Sequence, residues 1–455
     1  MNRSTIQKIL ADLGTRPTKS LGQNFLQDEE AARWIVGQLD LQPGEHLVEI
    51  GPGLGALTEH AHGHDGPITL IEKDGRLADY LRATHAHLPN VVVYHLDALK
   101  FDNRTLFEYG PAKVLGNLPY YVSSQVLLQF TAEPTPVKRL VFTLQKEMAE
   151  RLSAAPSTKE YGALTLLVGL RWKVEYVRTL PGSAFLPAPN VESGIVVLTP
   201  RDPDELPGCD TALFQRLVKE GFSQRRKMLR KMLSAHELDW PALCVALGIE
   251  ETVRGEALSL RQWVDLTRYV EQVKKPGSLD AQAQDVNGEI FDIVDEEDNV
   301  IGQASRREVH AGKLRHRAIH LLITNKHGDL FLQKRSRWKD ANPGRWDSST
   351  AGHVDAGESY EATAIRELKE ELDIEVAPEA IREFGKLPAS PVTGYEFVRL
   401  YHTCHNGPFR WPRSEVETGG FFPVPLLERW MAARPRDFST TFLEVFRHWR
   451  ASQAP

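Results

Sequence analysis

The chain has 455 residues, 41% of them apolar and 25% charged, which excludes a mostly disordered or fibrous protein and leaves room for two or three domains. Its 55 basic and 61 acidic residues sum to −6, a balance that does not advertise nucleic-acid binding by the molecule as a whole. No apolar run approaches the ~18 residues of a membrane span, residues 1–14 lack the character of a leader, and the three scattered cysteines (Cys209, Cys244, Cys404) form no CxxC pair. A soluble, cytoplasmic protein without a membrane partner is the expectation.

Taken in chain order, His46–Ile50 reads as a short strand running into Gly51-Pro52-Gly53-Leu54-Gly55 and then a helix. Ile68–Glu72, 91–94 and 113–115 are further apolar strands separated by helix-length stretches, an alternation that predicts a parallel, doubly wound sheet. Glycines at a strand end let the backbone approach a ligand, and the following helix N-terminus favours a negative group. By itself such a turn is as readily a plain structural one, and Pro52 spoils the dinucleotide-type spacing.

Its companions sharpen the reading. Glu72 ends the next strand, where a carboxylate can take both hydroxyls of a ribose, and Asp97 follows the strand after that, suited to an adenine amino group. Asn117-Leu118-Pro119-Tyr120 again follows a strand. An adenine N6 amine is a poor nucleophile because its lone pair is delocalised into the ring. The Asn117 side-chain oxygen and the Leu118 carbonyl can accept its two hydrogens and favour a pyramidal nitrogen, while Tyr120 stacks on the base. An ordinary turn remains the bland alternative.

Beyond a polar break at 199–208, residues 201–272 show helical spacing (Phe214, Leu217, Val218; Met228, Leu229, Met232, Leu233). Residues 213–233 hold seven basic side chains and one glutamate; Arg226 with Arg230, and Lys227 with Lys231, lie at i, i+4 and are expected to line one helix face. Residues 273–287 read as a linker, and an α+β domain is expected over 288–455.

Residues 1 to about 272 resemble the bacterial small-subunit ribosomal RNA adenine N6,N6-dimethyltransferases. The stretches carrying the resemblance are Lys19-Ser20-Leu21-Gly22-Gln23-Asn24-Phe25-Leu26, 48–58, 117–121, Gln145-Lys146-Glu147, 185–193 and Phe222-Ser223-Gln224-Arg225-Arg226-Lys227. The resemblance implies S-adenosylmethionine held by Asn24, Leu26, Gly51, Glu72, Asp97 and Asn117, and Phe185 as a second aromatic beside the target base. It implies a pair of adjacent adenines near the 3′ end of 16S rRNA, in the small ribosomal subunit, as substrate, with Arg225, Arg226, Lys227, Arg230 and Lys231 on the RNA and no DNA partner. Glu192 stands where the family more often has Asp. Relatives that modify large-subunit RNA with the same site, and a non-catalytic ribosome-assembly factor, are the alternatives; the intact Asn117–Tyr120 loop speaks against the latter.

The last part carries Gly352-His353-Val354-Asp355-Ala356-Gly357-Glu358 and then Arg366-Glu367-Leu368-Lys369-Glu370-Glu371. Glu367, Glu370 and Glu371 share one helix face, where like charges destabilise unless a hard divalent cation such as Mg²⁺ relieves them. This resembles the Nudix box, which implies Glu367, Glu370 and Glu371 as metal ligands, a backbone carbonyl from Gly352, and Arg366 orienting Glu358. Asp373 replaces the motif's glycine. Phe291-Asp292-Ile293-Val294-Asp295, His320, 331–335 and Pro343-Gly344-Arg345-Trp346 resemble the isopentenyl-diphosphate isomerase branch, but Ala351 occupies the position of its cysteine. Hydrolysis of a nucleoside diphosphate derivative or another small diphosphate-containing substrate is the leading expectation, ahead of an inactive binding module and of isomerisation. His320 and His353 are weighed as further metal ligands or as ordinary polar contacts. The fold class expected is α/β: a Rossmann-like methyltransferase unit with a small C-terminal helical subdomain, then an α+β Nudix domain.

Overall fold

Short runs of branched apolar residues separated by amphipathic stretches fold as that alternation predicts. The computed structural model describes residues 1–453 apart from 19–20, 133–134, 202–204, 207–208, 275–288, 336–341, 343 and 412–414. Lys19, Ser20 and Pro343 of the motifs, and nearly all of the expected linker 273–287, therefore lie outside the described residues. Contacts divide the chain into two units, Met1–Val270 and Glu271–Pro455.

The first unit opens with α1 (Arg3–Asp12), β1 (Phe25–Leu26) and α2 (Glu29–Gly37), followed by β2 (His46–Ile50), β3 (Ile68–Glu72), α3 (Gly75–Thr84), β4 (Val91–His95), β5 (Ala112–Asn117), α4 (Ser123–Thr131) and β6 (Val137–Gln145). It continues with α5 (Lys146–Leu152), α6 (Ala163–Gly169), β7 (Trp172–Leu180), β8 (Phe185–Leu186) and β9 (Ser193–Pro200). Seven strands form one sheet in the order β4-β3-β2-β5-β6-β9-β7, parallel from β4 to β6, with β9 antiparallel to both its neighbours. Every residue of β2 and β3 is buried, as expected of strands covered on both faces. Cores lie on both sides of the sheet, one around Phe130, Phe142 and Trp172, the other around Ile35, Leu47 and Leu70. The strand order reverses between β2 and β5, and a crevice at the carboxyl ends of such a pair is where ligands bind in open α/β sheets. A two-residue ladder, Phe25↔Leu186 and Leu26↔Phe185, ties β1 to β8.

The helical part comprises α7 (Thr211–Gly221), α8 (Leu229–Met232), α9 (Trp240–Leu247) and α10 (Leu260–Lys274), around Phe214, Leu217 and Trp263. α10 covers the first two residues of the expected linker. The expected continuous basic helix is interrupted between Gly221 and Leu229. α7 ends at Gly221, where a Cβ would collide with the Trp263 ring; Phe222 stacks on Trp263, and Met228 is extended before the single-turn α8. The chain bends to bury Leu229, whose N–H donates to the Val253 carbonyl at 2.8 Å. Arg226 and Lys227 therefore precede the helix of Arg230 and Lys231 and share no face with them.

The second unit has a hairpin of β10 (Ile290–Val294) and β11 (Val300–Ser305), then α11 (Arg306–Gly312), β12 (His316–Thr324), β13 (Leu330–Arg335), β14 (Trp346–Asp347), β15 (Thr350–His353), α12 (Tyr360–Leu372), β16 (Arg382–Leu387), β17 (Glu396–Cys404), β18 (Val416–Phe422), α13 (Val424–Ala433) and α14 (Thr440–Ser452). Its sheet runs β14-β13-β12-β17-β16, with β15 on β12 and β18 on β13; β12 and β17 are parallel. Leu368 and Leu372 of α12 pack with Ile319 and Leu321 of β12. Phe422, alternating with Phe421, belongs to a ring cluster with Trp346 and Trp430. Among the described residues, no helix is long and apolar enough to cross a membrane.

Candidate active sites and family

At the β2–β5 crevice, a cavity of about 110 Å³ is lined by Asn24, Leu26, Gly51, Glu72, Asp97 and Asn117, all six positions expected to hold a cofactor. Gly51 and Gly53 have φ of +64° and +60°, which L side chains rarely adopt, so the β2 turn folds back under the cavity. Glu72 is buried and accepts from the backbone N–H groups of Gly53 (3.0 Å) and Asp74 (2.8 Å). Burial raises its carboxyl above the usual range, with those two N–H groups opposing. Asp97 is held low, first by the Lys73 ammonium at 2.8 Å; its other oxygen accepts from Leu99 N.

Asn117 ends β5 with its side-chain amide already oriented. Nδ2 donates to the Asn24 carbonyl at 2.9 Å, which leaves Oδ1 as the group turned to accept. Leu118 N–H is spent on the Thr143 carbonyl at 3.1 Å, and Leu118 lines the same cavity. Tyr120 is half-buried and does not line the cavity; its hydroxyl meets Ser193 Oγ at 2.9 Å. Phe185 is 2% exposed and lies in the core beside Leu26, its strand partner, rather than on the cavity wall. Lys73 lies in no motif, and Ser193 only ends the 185–193 stretch without a role assigned to it; the fold brings both to this site.

Of the five basic residues expected on RNA, Arg225 is occupied within the protein: its guanidinium donates to the Thr158 and Lys159 carbonyls and pairs with Glu256. Arg230 faces Glu251 at 3.8 Å, while Arg226, Lys227 and Lys231 are exposed.

In the second unit α12 carries Glu367, Glu370 and Glu371 as spaced for one face. Ser359 caps its first turn, and Asp373 ends it at φ 54°, the left-handed geometry that a glycine would occupy without cost. Arg366 reaches Glu358 (3.0 Å), Glu367 (2.8 Å) and Glu370 (3.0 Å), so a guanidinium already offsets part of the carboxylate repulsion. Glu367 is nevertheless pushed up to about 8 by burial, then by Glu371, against the pull of Arg366. Its carboxylate lies over Gly352, where any Cβ would collide with it. Glu371 Oε2 accepts from Thr350 Oγ1 at 2.5 Å and Gln333 Nε2 at 3.3 Å. Hard carboxylate oxygens under mutual repulsion fit a divalent cation such as Mg²⁺.

A second donor set emerges that sequence reading had only half found. His353 meets His310 and His316, with one ring nitrogen of each within 4.8 Å of the others, and Glu396 Oε1 lies 3.1 Å from His353 and 3.6 Å from His316. Burial alone would raise Glu396, but the hydrogen bonds and charge of His316 and His353 outweigh it and hold the carboxyl far below the usual range. Three imidazoles and a carboxylate are a donor set that could hold a cation softer than Mg²⁺. His320 lies apart from that trio, with Nδ1 2.7 Å from Ser348 Oγ, an ordinary buried polar contact. The four side chains come from α11, β12, β15 and β17, and no spacing in the chain links them.

The first unit is thus a methyltransferase fold and the second a NUDIX fold. The sequence model of the ribosomal RNA adenine dimethylase family matches residues 14–272, and that of the NUDIX domain matches residues 314–442. Two curated relatives are called ribosomal RNA small subunit methyltransferase A. The one from Geobacillus kaustophilus is 36% identical over 57% of this chain and 93% of its own length; the one from Thiobacillus denitrificans is 40% identical over 56% and 98%. Among solved structures, the MutT protein of Methanosarcina mazei Go1 is similar at 21% identity over 30% of this chain and 94% of that one, with a TM-score of 0.24. The chain belongs to the ribosomal RNA adenine dimethylase family and carries a NUDIX domain behind its methyltransferase part.

Proposed function

We propose that the first unit transfers methyl groups from S-adenosylmethionine to N6 of two adjacent adenines near the 3′ end of 16S rRNA, on the small ribosomal subunit in the cytoplasm. The observation that carries this is Asn117: its donor half is spent on Asn24, leaving an acceptor beside the cavity that holds Glu72 and Asp97. Bound S-adenosylmethionine supplies a methyl group that is already activated as a sulfonium, so no metal is needed. Glu72 is suited to the ribose hydroxyls and Asp97 to the adenine amine of the cofactor. Asn117 Oδ1 and the Leu118 carbonyl accept the two hydrogens of the target amine, directing its lone pair toward the methyl group; Tyr120 stacks on the target base. Exposed Arg226, Lys227 and Lys231 suit the RNA backbone. Labelled S-adenosylmethionine incubated with undermethylated small subunits is expected to label adenine N6, and Asn117→Ala to abolish the label. Unchanged labelling by that variant would remove Asn117 from catalysis.

For the second unit we propose Mg²⁺-dependent hydrolysis of a small diphosphate. Support comes from the Glu367, Glu370 and Glu371 face of α12, with Arg366 holding Glu358 beside it. Bound Mg²⁺ supplies Lewis-acid polarisation of the diphosphate, and the glutamates hold it in place. Ala351 carries no ionisable group and cannot move a proton to or from carbon, which disfavours isomerisation despite the resemblance. Phosphate release from diphosphates by the full chain, abolished by Glu371→Gln, is the expected result. No release across a broad panel would move the reading to a binding module.

A further inference from the structure

Two segments of the first unit meet at histidines that neither catalytic reading uses. His62 follows the short 3₁₀ turn Thr58–Ala61, into which the Gly51–Gly55 turn leads, and His85 caps the C-terminal end of α3. Ala61, beside the one, and Leu81, one turn before the other, are buried in the same core, so backbone packing brings the two rings together. Their centroids lie 5.0 Å apart, with the ring planes at 73°. His85 is 5% exposed, and neither of its ring nitrogens has a hydrogen-bond partner among the described residues. Such a group is uncommon, because an unpaired polar atom inside a protein forfeits its hydration. Burial first, then His62 and His87, hold the His85 imidazole below its usual value of 6.5, which keeps it neutral, the form that binds a cation. His62 and His87 are exposed, so both rings have room to turn onto a shared ligand. His60 and His64 flank His62 at two-residue spacing but are engaged elsewhere. His64 Nε2 donates to the Glu45 carbonyl at 2.6 Å, and His60 lies among the charges of Glu59, Arg33 and Glu29.

We propose that His62, His85 and His87 bind a divalent cation of the imidazole-preferring class, Zn²⁺ above all, which staples the segment leaving the glycine turn to the end of α3. Zn–N bonds of about 2.0–2.1 Å at a tetrahedral angle put two ligating ring centroids ~5 Å apart, which is the separation of His62 and His85. Nitrogen donors favour such a cation over Mg²⁺ or Ca²⁺, which take oxygens. Three imidazoles leave the fourth position to solvent. None of the three histidines lines the cofactor cavity, so the ion braces the fold and takes no part in methyl transfer.

The test titrates the metal-free full chain with Zn²⁺ by calorimetry, beside His62→Asn, His87→Asn and His85→Gln, and records melting with and without the ion. His310, His316 and His353 are common to all of these chains, so a difference among them belongs to the first unit alone. The two exposed positions keep the test valid should His85→Gln weaken the fold. Each substitution is expected to weaken one binding event by about tenfold or more, the least that disturbing a metal's surroundings costs. Each should also remove a Zn²⁺-dependent rise in the first unit's melting temperature, about 5 °C at a hundredfold excess over the parent's Kd. His60→Asn should change neither. Equal Zn²⁺ binding by the parent, His62→Asn and His87→Asn would overturn the site and leave His62 and His85 as a ring contact only. An equal loss with His60→Asn would overturn it too, assigning the ion to a run of alternating histidines instead.

Discussion

Single side chains at the methyltransferase site are held by partners whose role the motifs do not state. Tyr120 meets Ser193 Oγ at 2.9 Å, and Ser193 is fully buried at the start of β9. Ser193→Ala and Tyr120→Phe should each lower the turnover number about tenfold, the cost of one lost hydrogen bond of ~1 kcal/mol plus a freer ring. The double variant should be no worse than either single one; additive losses, or loss of cofactor binding together with the melting temperature, would show that the contact is only structural. Glu49 gives a pH signature. Its carboxyl is completely buried and pushed up to about 7, by burial first, with Thr58 opposing and Glu72 adding to the rise. A raised acid stabilises the fold while protonated; that contribution is whole below the unfolded value of 4.5 and is lost as pH climbs through about 7. The cofactor-free chain is therefore expected to lose on the order of 3 kcal/mol across that window relative to Glu49→Gln. Thermal melts at pH 5 and pH 8 measure it, and parallel profiles for the two chains would refute it.

Elements were legible where one motif and one period coincide. The parallel strands and the α12 carboxylate face could be read because each is a local pattern, and Asp373 adopts the left-handed geometry that its position after the helix demands. Asp373→Gly should gain about 1 kcal/mol, less whatever Asp373 contributes through Lys369 at 3.3 Å, seen as a higher midpoint in denaturant. The basic helix was misread because i, i+4 spacing means a shared face only if the helix is continuous, and packing of Gly221 and Phe222 on Trp263 breaks it. That break divides the arginines by role. Arg225→Ala is expected to lower the melting temperature through the loss of its Thr158, Lys159 and Glu256 partners. Arg226→Ala and Lys227→Ala should leave stability alone, weaken RNA binding uniformly, and lower the salt slope by ~1 each. The histidine cluster was illegible for the opposite reason: its members are close only after α11, β12, β15 and β17 have assembled.

At the scale of the molecule, each unit has its own core and its own candidate site, and the contacts divide near residue 270. We propose the finer division as well: a methyltransferase domain over 1–200, a helical subdomain over 201–272, and a Nudix domain over 288–455. Glu371→Gln should then leave methyl transfer unchanged, and Asn117→Ala should leave diphosphate chemistry unchanged. Calorimetry is expected to resolve two transitions, only one of which rises with S-adenosylhomocysteine. A single transition that shifts as a whole would join the units into one cooperative body.

The pinning of Asn117 also fixes what its nearest isostere would do. Asn117→Asp, of nearly the same shape, would place an oxygen 2.9 Å from the Asn24 carbonyl oxygen, where a donor had been. Two acceptors at that separation repel, so the side chain would turn away and take its remaining oxygen with it. A molecule altered in this way would keep its fold and its exposed basic residues. Under the proposed function it would still bind the RNA without modifying it, and would compete with the unaltered protein for the same substrate.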